Sequence, residues 1–148
     1  MRLKDKVAIV TGAGSGFGAG IARRFAQEGA KLIVNDINAQ GGARVAKEVG
    51  GEFVQADVTK APDWAKLVAA ATAKFGRLDV VVNNAGWTHR RKPYLEVTEE
   101  AKKAFLATIP LGRFSTPLDV ANACLYLASD EASMISGTCI EVDGARCV

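Results

Sequence analysis

The segment Val7-Ala-Ile-Val-Thr-Gly-Ala-Gly-Ser-Gly-Phe-Gly18 joins a short apolar run to a dense group of glycines. A run of four apolar residues followed by a turn is typical of a buried strand in a parallel sheet. Beyond the glycines, Ile21 and Phe25 continue a four-residue spacing that starts at Phe17, which predicts an amphipathic helix ending near Gly29. The segment is therefore predicted to fold as a strand, a glycine-rich turn and a helix.

The same alternation of strand and helix continues as far as Gly86. The further predicted strands are 31–34, 52–55 and 78–82, and the predicted helices between them are 39–49, which Gly41 and Gly42 weaken, and 64–75. Strands and helices that take turns over short connections imply right-handed crossovers and a parallel sheet covered on both faces. We therefore predict an α/β fold with a three-layer, doubly wound, Rossmann-like parallel sheet.

The regular alternation fails after Gly86. An irregular polar stretch at 87–97 is followed by a predicted helix that Thr98 caps and that reaches Ala107. After a break at 110–113, a second helix is predicted from Pro117 to Ala128, with Thr116 as its cap. The last predicted element is a strand at Thr138-Cys-Ile-Glu-Val142. The second of these helices has Asp119 in its first turn, where a negative charge is favourable.

Composition excludes several classes of protein. A length of 148 residues suits one domain, and a net charge of +3 without a long basic run does not favour nucleic acid or an anionic membrane as partner. Three cysteines without a Cys-x-x-Cys pair, and a single histidine, fit neither a disulfide framework nor a metal site. The N-terminus has only four consecutive apolar residues, too few for a signal peptide. We expect a cytoplasmic protein with no bound metal.

The glycines match the pattern Thr11-Gly12-x-x-x-Gly16-x-Gly18, a phosphate-binding turn between a strand and a helix. Gly12 allows the turn, Gly16 allows a phosphate to approach the backbone, and Gly18 allows the helix to pack closely on the strand. The alternative is a tight turn that binds nothing.

Asp36 ends the second predicted strand, 18 residues after Gly18. A carboxylate in this place can accept hydrogen bonds from both hydroxyls of an adenosine ribose and would repel a 2′-phosphate. Ile37 follows it, and the glycine turn contains no arginine, so NAD is favoured over NADP. The alternative is a solvated aspartate at the end of a strand.

Together, these motifs resemble those of the short-chain dehydrogenase/reductase family. The motifs that carry the resemblance are Thr11-Gly-Ala-Gly-Ser-Gly-Phe-Gly18, Asp36, Asp57-Val58, Asn83-Asn-Ala-Gly86, Ile109-Pro-Leu-Gly-Arg113, Pro117-x-Asp-Val-Ala121, Tyr126-Leu-Ala-Ser-Asp130 and Val142-Asp-Gly144. They occur in the order of the family and span nearly the whole chain.

The resemblance implies a nicotinamide cofactor, an alcohol or carbonyl substrate that exchanges a hydride with it, and a homo-oligomer. It also implies a set of cofactor-binding residues around the diphosphate, the adenosine ribose, the adenine and the far side of the cofactor. These residues are Gly12, Ser15, Gly16, Phe17 and Gly18 for the diphosphate, Asp36 and Ile37 for the ribose, Asp57 and Val58 for the adenine, and Asn84, Ala85 and Gly86 for the far side.

The catalytic residues of the family have no counterpart in this chain. The family uses a Tyr-x-x-x-Lys pair, but Tyr94 is followed by Thr98 and Tyr126 by Asp130, and the Ser and Asn of the family are missing as well. About two strand-helix units are absent between Glu100 and Ala101. We therefore predict a single NAD-binding domain over 1–148, with a cofactor-binding half at 1–100 and a C-terminal helix and last strand at 101–148.

Two hypotheses about function follow. The first is an NAD-dependent oxidoreductase of this family, represented here without its catalytic middle. The second is a catalytically inactive nucleotide-binding or interaction module, if these 148 residues are the whole protein.

The missing units also leave two predicted strands, 78–82 and 138–142, without their usual neighbours. We expect them either to pair with each other or to mark the loss of a segment. Three smaller features each have two interpretations. Trp87 either lines a substrate pocket or packs under a loop, and His89-Arg-Arg-Lys92 either attracts an acidic substrate or forms a solvated loop. The helix 120–128 either contacts another subunit or is buried against the sheet.

Overall fold

The structure is a computed structural model that describes residues 1–86 and 98–147. Its strands are β1 (Val7–Val10), β2 (Lys31–Asp36), β3 (Glu52–Gln55) and β4 (Val80–Val82). Its helices are α1 (Gly16–Gln27), α2 (Ala39–Val49), α3 (Ala61–Phe75), α4 (Glu99–Leu106) and α5 (Pro117–Ala128), followed by a short 3-10 helix at Asp130–Ala132. The predicted alternation up to Gly86 is confirmed.

The four strands form one parallel sheet in the order β3-β2-β1-β4. One face packs against α1, α2 and α5, and the other face packs against α3. The chain order of the strands reverses direction at β1, since β2 lies on one side of it and β4 on the other. Open α/β sheets bind ligands beyond the carboxyl ends of their strands at such a point. The predicted three-layer, doubly wound, Rossmann-like fold is confirmed.

The core explains why α1 forms and where it docks. Ile21, Ala22 and Phe25 lie on one side of the helix and are fully buried against the same sheet face as Ala8 and Val10. Burying a side chain of the size of Phe25 contributes about 1.5–3 kcal/mol. The stripe therefore fixes the rotation of α1, and with it the direction in which its N-terminal turn faces.

Helix α2 shows a reason for the glycines that weaken it. A Cβ atom on Gly42 would lie 2.1 Å from the ring of Phe53, so only glycine allows the helix to pack this closely on β3. The lower helix propensity is offset by the contact with the sheet.

Helix α5 packs along α1. Pro117 lies against Gly20, the Arg24 side chain donates to Asn122, and Ala121 is buried in the shared core. The predicted cap is confirmed as a capping box, in which Thr116 accepts from the Asp119 backbone and the Asp119 carboxylate accepts from the Thr116 backbone.

The prediction of a last strand at 138–142 is wrong. This segment has no strand conformation, Ile140 is 43% exposed, and the chain is held instead by loop contacts in which Ser115 Oγ donates to the Val142 carbonyl and the Leu111 backbone donates to the Gly144 carbonyl. A strand needs a neighbouring strand to bond its backbone, and this segment contacts a loop.

The expected pairing of 78–82 with 138–142 is therefore also wrong. In the part of the chain that the structure describes, β4 pairs with β1 alone and forms the edge of the sheet, with Val81 43% exposed. The predictions for Trp87 and for His89-Arg-Arg-Lys92 lie outside the described residues.

Candidate functional site

A cavity of about 710 Å³ opens at the carboxyl ends of the strands. Its volume is in the range of about 300–1,000 Å³ that is usual for small-molecule sites. The cavity is lined by Gly12, Gly14, Ser15, Gly16, Phe17, Asn35, Asp36, Ile37, Asn38, Gly41, Ala56, Asp57, Val58, Thr59, Asn84, Ala85 and Gly86.

The structure brings together all the site residues predicted from the sequence except Gly18. They come from the carboxyl ends of β1, β2, β3 and β4 and from the segments that follow them, which are far apart in the sequence and meet because the strands are parallel. Gly18 lies beneath the wall, where a Cβ atom would be 2.3 Å from the Gly12 carbonyl oxygen. Its place is the close contact between α1 and the end of β1.

The first turn of α1 presents backbone N–H groups at the cavity. Ser15 is the N-cap but makes no side-chain capping bond, and the first turn contains no acidic residue. The N–H groups at the start of a helix have no acceptor within the helix, and the helix dipole makes this end positive. Gly16 has φ +55° and open space where a Cβ atom would project, so the wall is bare backbone at this point. This arrangement favours an anionic group.

Asn84 and Thr11 fix the opposite wall to the end of β1. The Thr11 hydroxyl accepts from the backbone of both Asn84 and Ala85, each at 3.0 Å, and the Asn84 amide donates to the Thr11 carbonyl at 2.8 Å. Thr11 is 1% exposed, so these bonds are shielded from water. They hold the start of the 84–86 segment in place.

The Asp36 carboxylate is anchored at the cavity wall through both oxygens. One oxygen accepts from the Gly14 backbone and the other from the Asn38 backbone, both at 2.8 Å. Asn38 in turn caps α2 by accepting from the Gly41 backbone. The carboxylate is half-buried and has lone pairs left for further donors, whereas Ile37 beside it is 69% exposed.

The segment after β3 supplies a second carboxylate. One oxygen of Asp57 accepts from both the backbone and the hydroxyl of Thr59, and these bonds, with Lys60 nearby, hold the pKa of Asp57 below its usual value. Asp57 is therefore ionised at neutral pH and presents an acceptor at this end of the cavity.

Six lining residues are not among the predicted site residues, namely Gly14, Asn35, Asn38, Gly41, Ala56 and Thr59. Asn38 has a recognisable signal, because asparagine before a helical stretch is a common N-cap. Gly14 lies within the glycine turn that the sequence identifies, and the others reach the cavity through the packing of β2, α2 and the segment after β3 around that turn, which no local sequence pattern specifies.

The chemistry of the cavity is that of a binding site for an anion and for hydroxyl and amino groups. Within residues 1–86 and 98–147, no group of three or more His, Cys, Asp or Glu side chains is arranged to hold a metal ion. None of the described helices is both long and apolar enough to cross a membrane.

Comparison with known proteins gives a match to the short chain dehydrogenase family model over residues 6–135. The chain is 32% identical to 4-formylbenzenesulfonate dehydrogenase TsaC1/TsaC2 of Comamonas testosteroni, in an alignment that spans 99% of each. It is 39% identical to L-fucose dehydrogenase of Oryctolagus cuniculus, over 77% of this chain and 40% of the relative. The fold is similar to that of a 3-ketoacyl-(acyl-carrier-protein) reductase from Brucella melitensis complexed with NADH, with a TM-score of 0.88, 28% identity, and coverage of 99% and 100% of the two chains.

These alignments also locate the difference in length. The alignment with the Comamonas enzyme is 250 positions long and reaches both ends of the two proteins, so it exceeds the 148 residues of this chain by about 100. The chain spans less than half the length of the rabbit enzyme. A central segment of the Comamonas enzyme therefore has no counterpart here, in agreement with the strand-helix units predicted to be missing.

Proposed function

Because this chain belongs to the short-chain dehydrogenase family, we propose that its cavity binds NAD and that the protein is an NAD-dependent oxidoreductase acting on an alcohol or carbonyl substrate. The single observation that carries the proposal is that the N-terminus of α1 and Asp36 line the same cavity. An anion-binding turn beside a fixed carboxylate fits a diphosphate joined to a ribose.

We assign cavity residues to three parts of the cofactor, namely the diphosphate, the adenine and its far side. Gly12 and the segment Ser15–Gly18 would hold the diphosphate, with Gly18 acting through the packing of α1 rather than by contact. Asp57 and Val58 would contact the adenine, and the segment 84–86 would line the far side. The bare backbone at Gly16 leaves room for phosphate oxygens.

The preference for NAD over NADP rests on Asp36. Its carboxylate cannot easily turn away from a ligand, because both oxygens are tied to backbone N–H groups. Two ribose hydroxyls can donate to it, whereas a 2′-phosphate would bring a second negative charge against it. Asp36 with Ile37 therefore favours the unphosphorylated ribose.

The bound cofactor would supply hydride transfer at its nicotinamide ring, and this chain would supply binding and orientation. The proton that accompanies hydride transfer needs a general acid or base. The chain contains no Tyr-x-x-x-Lys sequence, so we assign it no catalytic residue and expect negligible turnover from these 148 residues alone.

A second candidate function is a nucleotide-binding or interaction module without catalysis. The observation that favours it is the same missing sequence, together with the roughly 100 unmatched positions of the Comamonas relative. The intact mass of the natural protein separates the two candidates. A mass well above that of 148 residues supports the oxidoreductase, and a mass equal to it supports the module.

Isothermal titration calorimetry with NAD and NADP tests the binding proposal. We expect NAD to bind at least about tenfold more tightly than NADP, and Asp36→Asn to reduce this ratio to about threefold or less, since each factor of ten corresponds to about 1.4 kcal/mol. Asp130→Asn is a matched control, because Asp130 is exposed, pairs with Lys6 and does not line the cavity. Failure of the unaltered chain to bind either dinucleotide would overturn the proposal.

The remaining features of the protein stay predictions. They are a single domain over 1–148, a homo-oligomeric assembly, an alcohol or carbonyl substrate, no nucleic-acid or membrane partner, and a cytoplasmic location. Sedimentation of the purified protein tests the assembly.

A further inference from the structure

Three successive peptide units form the wall of the cavity after β3, and side chains of two other elements hold them. The units are those that join Ala56 to Asp57, Asp57 to Val58, and Val58 to Thr59. All four residues line the cavity. The orientation of these units decides which backbone groups a ligand meets at this end.

The first peptide unit is held at both ends. Its carbonyl, on Ala56, accepts from the Asn35 side-chain amide at 2.9 Å, and its N–H, on Asp57, donates to the Asp63 carboxylate at 2.8 Å. Asn35 is 1% exposed, and its amide also donates to the Val54 carbonyl, so it cannot turn away without leaving buried groups unbonded. Side chains of β2 and α3 thus bond the carbonyl and the N–H of this peptide unit, respectively.

The third peptide unit is held in the same way. Its carbonyl, on Val58, accepts from the Trp64 indole N–H at 3.0 Å, and its N–H, on Thr59, donates to the Asp57 carboxylate at 3.0 Å. Trp64 also packs against the core on the α3 side of the sheet, so its ring cannot easily move. The sequence alone marks Trp64 only as an apolar position of a helix.

The middle unit is fixed between them and keeps one group unused. Its carbonyl, on Asp57, accepts from the Lys60 backbone at 2.9 Å. Its N–H, on Val58, has no hydrogen-bond partner among the residues that the structure describes. Two consecutive cavity-lining residues thus supply an unused donor, the Val58 N–H, and an ionised acceptor, the Asp57 carboxylate.

A donor beside an acceptor distinguishes two purines when the ribose holds the base in one pose, because the edge of the base then meets the two groups in a fixed order. Adenine presents an amino donor at its 6 position beside a ring nitrogen acceptor, whereas a 6-oxo purine presents an acceptor beside a ring N–H donor. A site built to bond one pattern rejects the other strongly, because its own polar groups would be left unpaired.

We propose that Asp63 and Trp64 are positioning residues that fix the Asp57–Val58 unit and thereby make the cavity select adenine over a 6-oxo purine. The inference rests on the proposed function, since it requires an adenine dinucleotide in the cavity. Asp63 is suited to this role because Lys66 and the Asp57 N–H lower its pKa, so it accepts as an anion at neutral pH.

The test compares the affinity for NAD with the affinity for its analogue in which hypoxanthine replaces adenine, both measured by calorimetry. The variants are Trp64→Phe, which keeps an aromatic ring but loses the N–H donor, and Asp63→Ala with Asp63→Asn, of which only the second retains an oxygen acceptor. Lys66→Met is the matched control, because it removes the other partner of Asp63 and leaves the bond to Asp57 intact.

We expect the unaltered chain and Lys66→Met to prefer NAD over the analogue by at least about tenfold, and Trp64→Phe and Asp63→Ala to prefer it by about threefold or less. Asp63→Asn should recover part of the preference. A loss of packing alone would weaken both dinucleotides equally and leave the ratio unchanged, and that result would overturn the inference while the proposed function stands. Failure of the unaltered chain to bind either dinucleotide would instead overturn the proposed function.

Discussion

Replacing Gly16 by alanine tests two roles of this residue separately. One is the left-handed backbone conformation that it adopts, and the other is the space that it leaves for a ligand. Gly16 has φ +55° with nothing near the place of a Cβ atom, and Gly50 at the end of α2 has φ +65° with nothing near it either. An alanine in this left-handed conformation costs about 1 kcal/mol. Gly16→Ala and Gly50→Ala should therefore destabilise the fold by similar amounts.

Only one of the two positions lies on the cavity wall. The methyl group of Gly16→Ala would occupy space that the proposal assigns to phosphate oxygens, while Gly50 is outside the cavity. Overlap between the methyl group and the phosphate oxygens would cost about 1–3 kcal/mol. This cost corresponds to an affinity for NAD that is about five- to 150-fold weaker. We therefore expect Gly16→Ala to lose NAD affinity by this factor and Gly50→Ala to keep the affinity of the unaltered chain.

Urea denaturation measures the free energy of unfolding of both variants, and calorimetry measures their dissociation constants for NAD. The reasoning is refuted if Gly16→Ala binds NAD as tightly as Gly50→Ala does. A much larger loss of stability in Gly16→Ala than in Gly50→Ala would contradict the backbone part of the argument.

Three further predictions concern packing, cofactor choice and pH. Gly18→Ala should lower stability by at least about 1–3 kcal/mol, since its Cβ atom would lie 2.3 Å from the Gly12 carbonyl oxygen; an unchanged urea midpoint would disprove this. Asp36→Asn should gain affinity for NADP relative to NAD, and a titration showing an unchanged ratio would count against the carboxylate as the cause. Asp119→Asn should lower the melting temperature at pH 7. The Arg113 guanidinium and Thr116 hold the Asp119 pKa well below its usual value; stability from a depressed carboxyl pKa is complete above the unfolded pKa of about 3.9 and is lost as pH falls below it. The melting temperatures of Asp119→Asn and the unaltered chain should therefore converge in acid, and a constant difference from pH 7 to pH 2 would refute the assignment.

Local sequence patterns were sufficient to predict the strands and helices that precede Gly86. Each strand from β1 to β4 contains consecutive apolar residues, and each helix before Gly86 carries its own apolar stripe or cap, so the element types follow from neighbouring residues. The segment 138–142 has a similar pattern of β-branched and apolar residues but contacts the loop that contains Leu111 and Ser115. Pairing depends on a distant partner, which a local pattern does not contain.

The candidate site also combines residues that local sequence patterns identify with residues that they do not identify. Gly12, Gly16 and Asp36 were predictable because their residue types match what a phosphate turn and a ribose acceptor need. Asn35 and Trp64 were not, because their importance lies in hydrogen bonds to Ala56 and Val58 across the sheet and from α3. Their types alone predict a buried polar residue and a core aromatic.

A crystal structure of the protein grown with NAD tests the central claim most directly. The account predicts the diphosphate within hydrogen-bond distance of the backbone N–H groups of Gly16 and Phe17 and both adenosine ribose hydroxyls donating to Asp36. Clear density for NAD elsewhere on the molecule, or a glycine turn without ligand at saturating NAD, would contradict it.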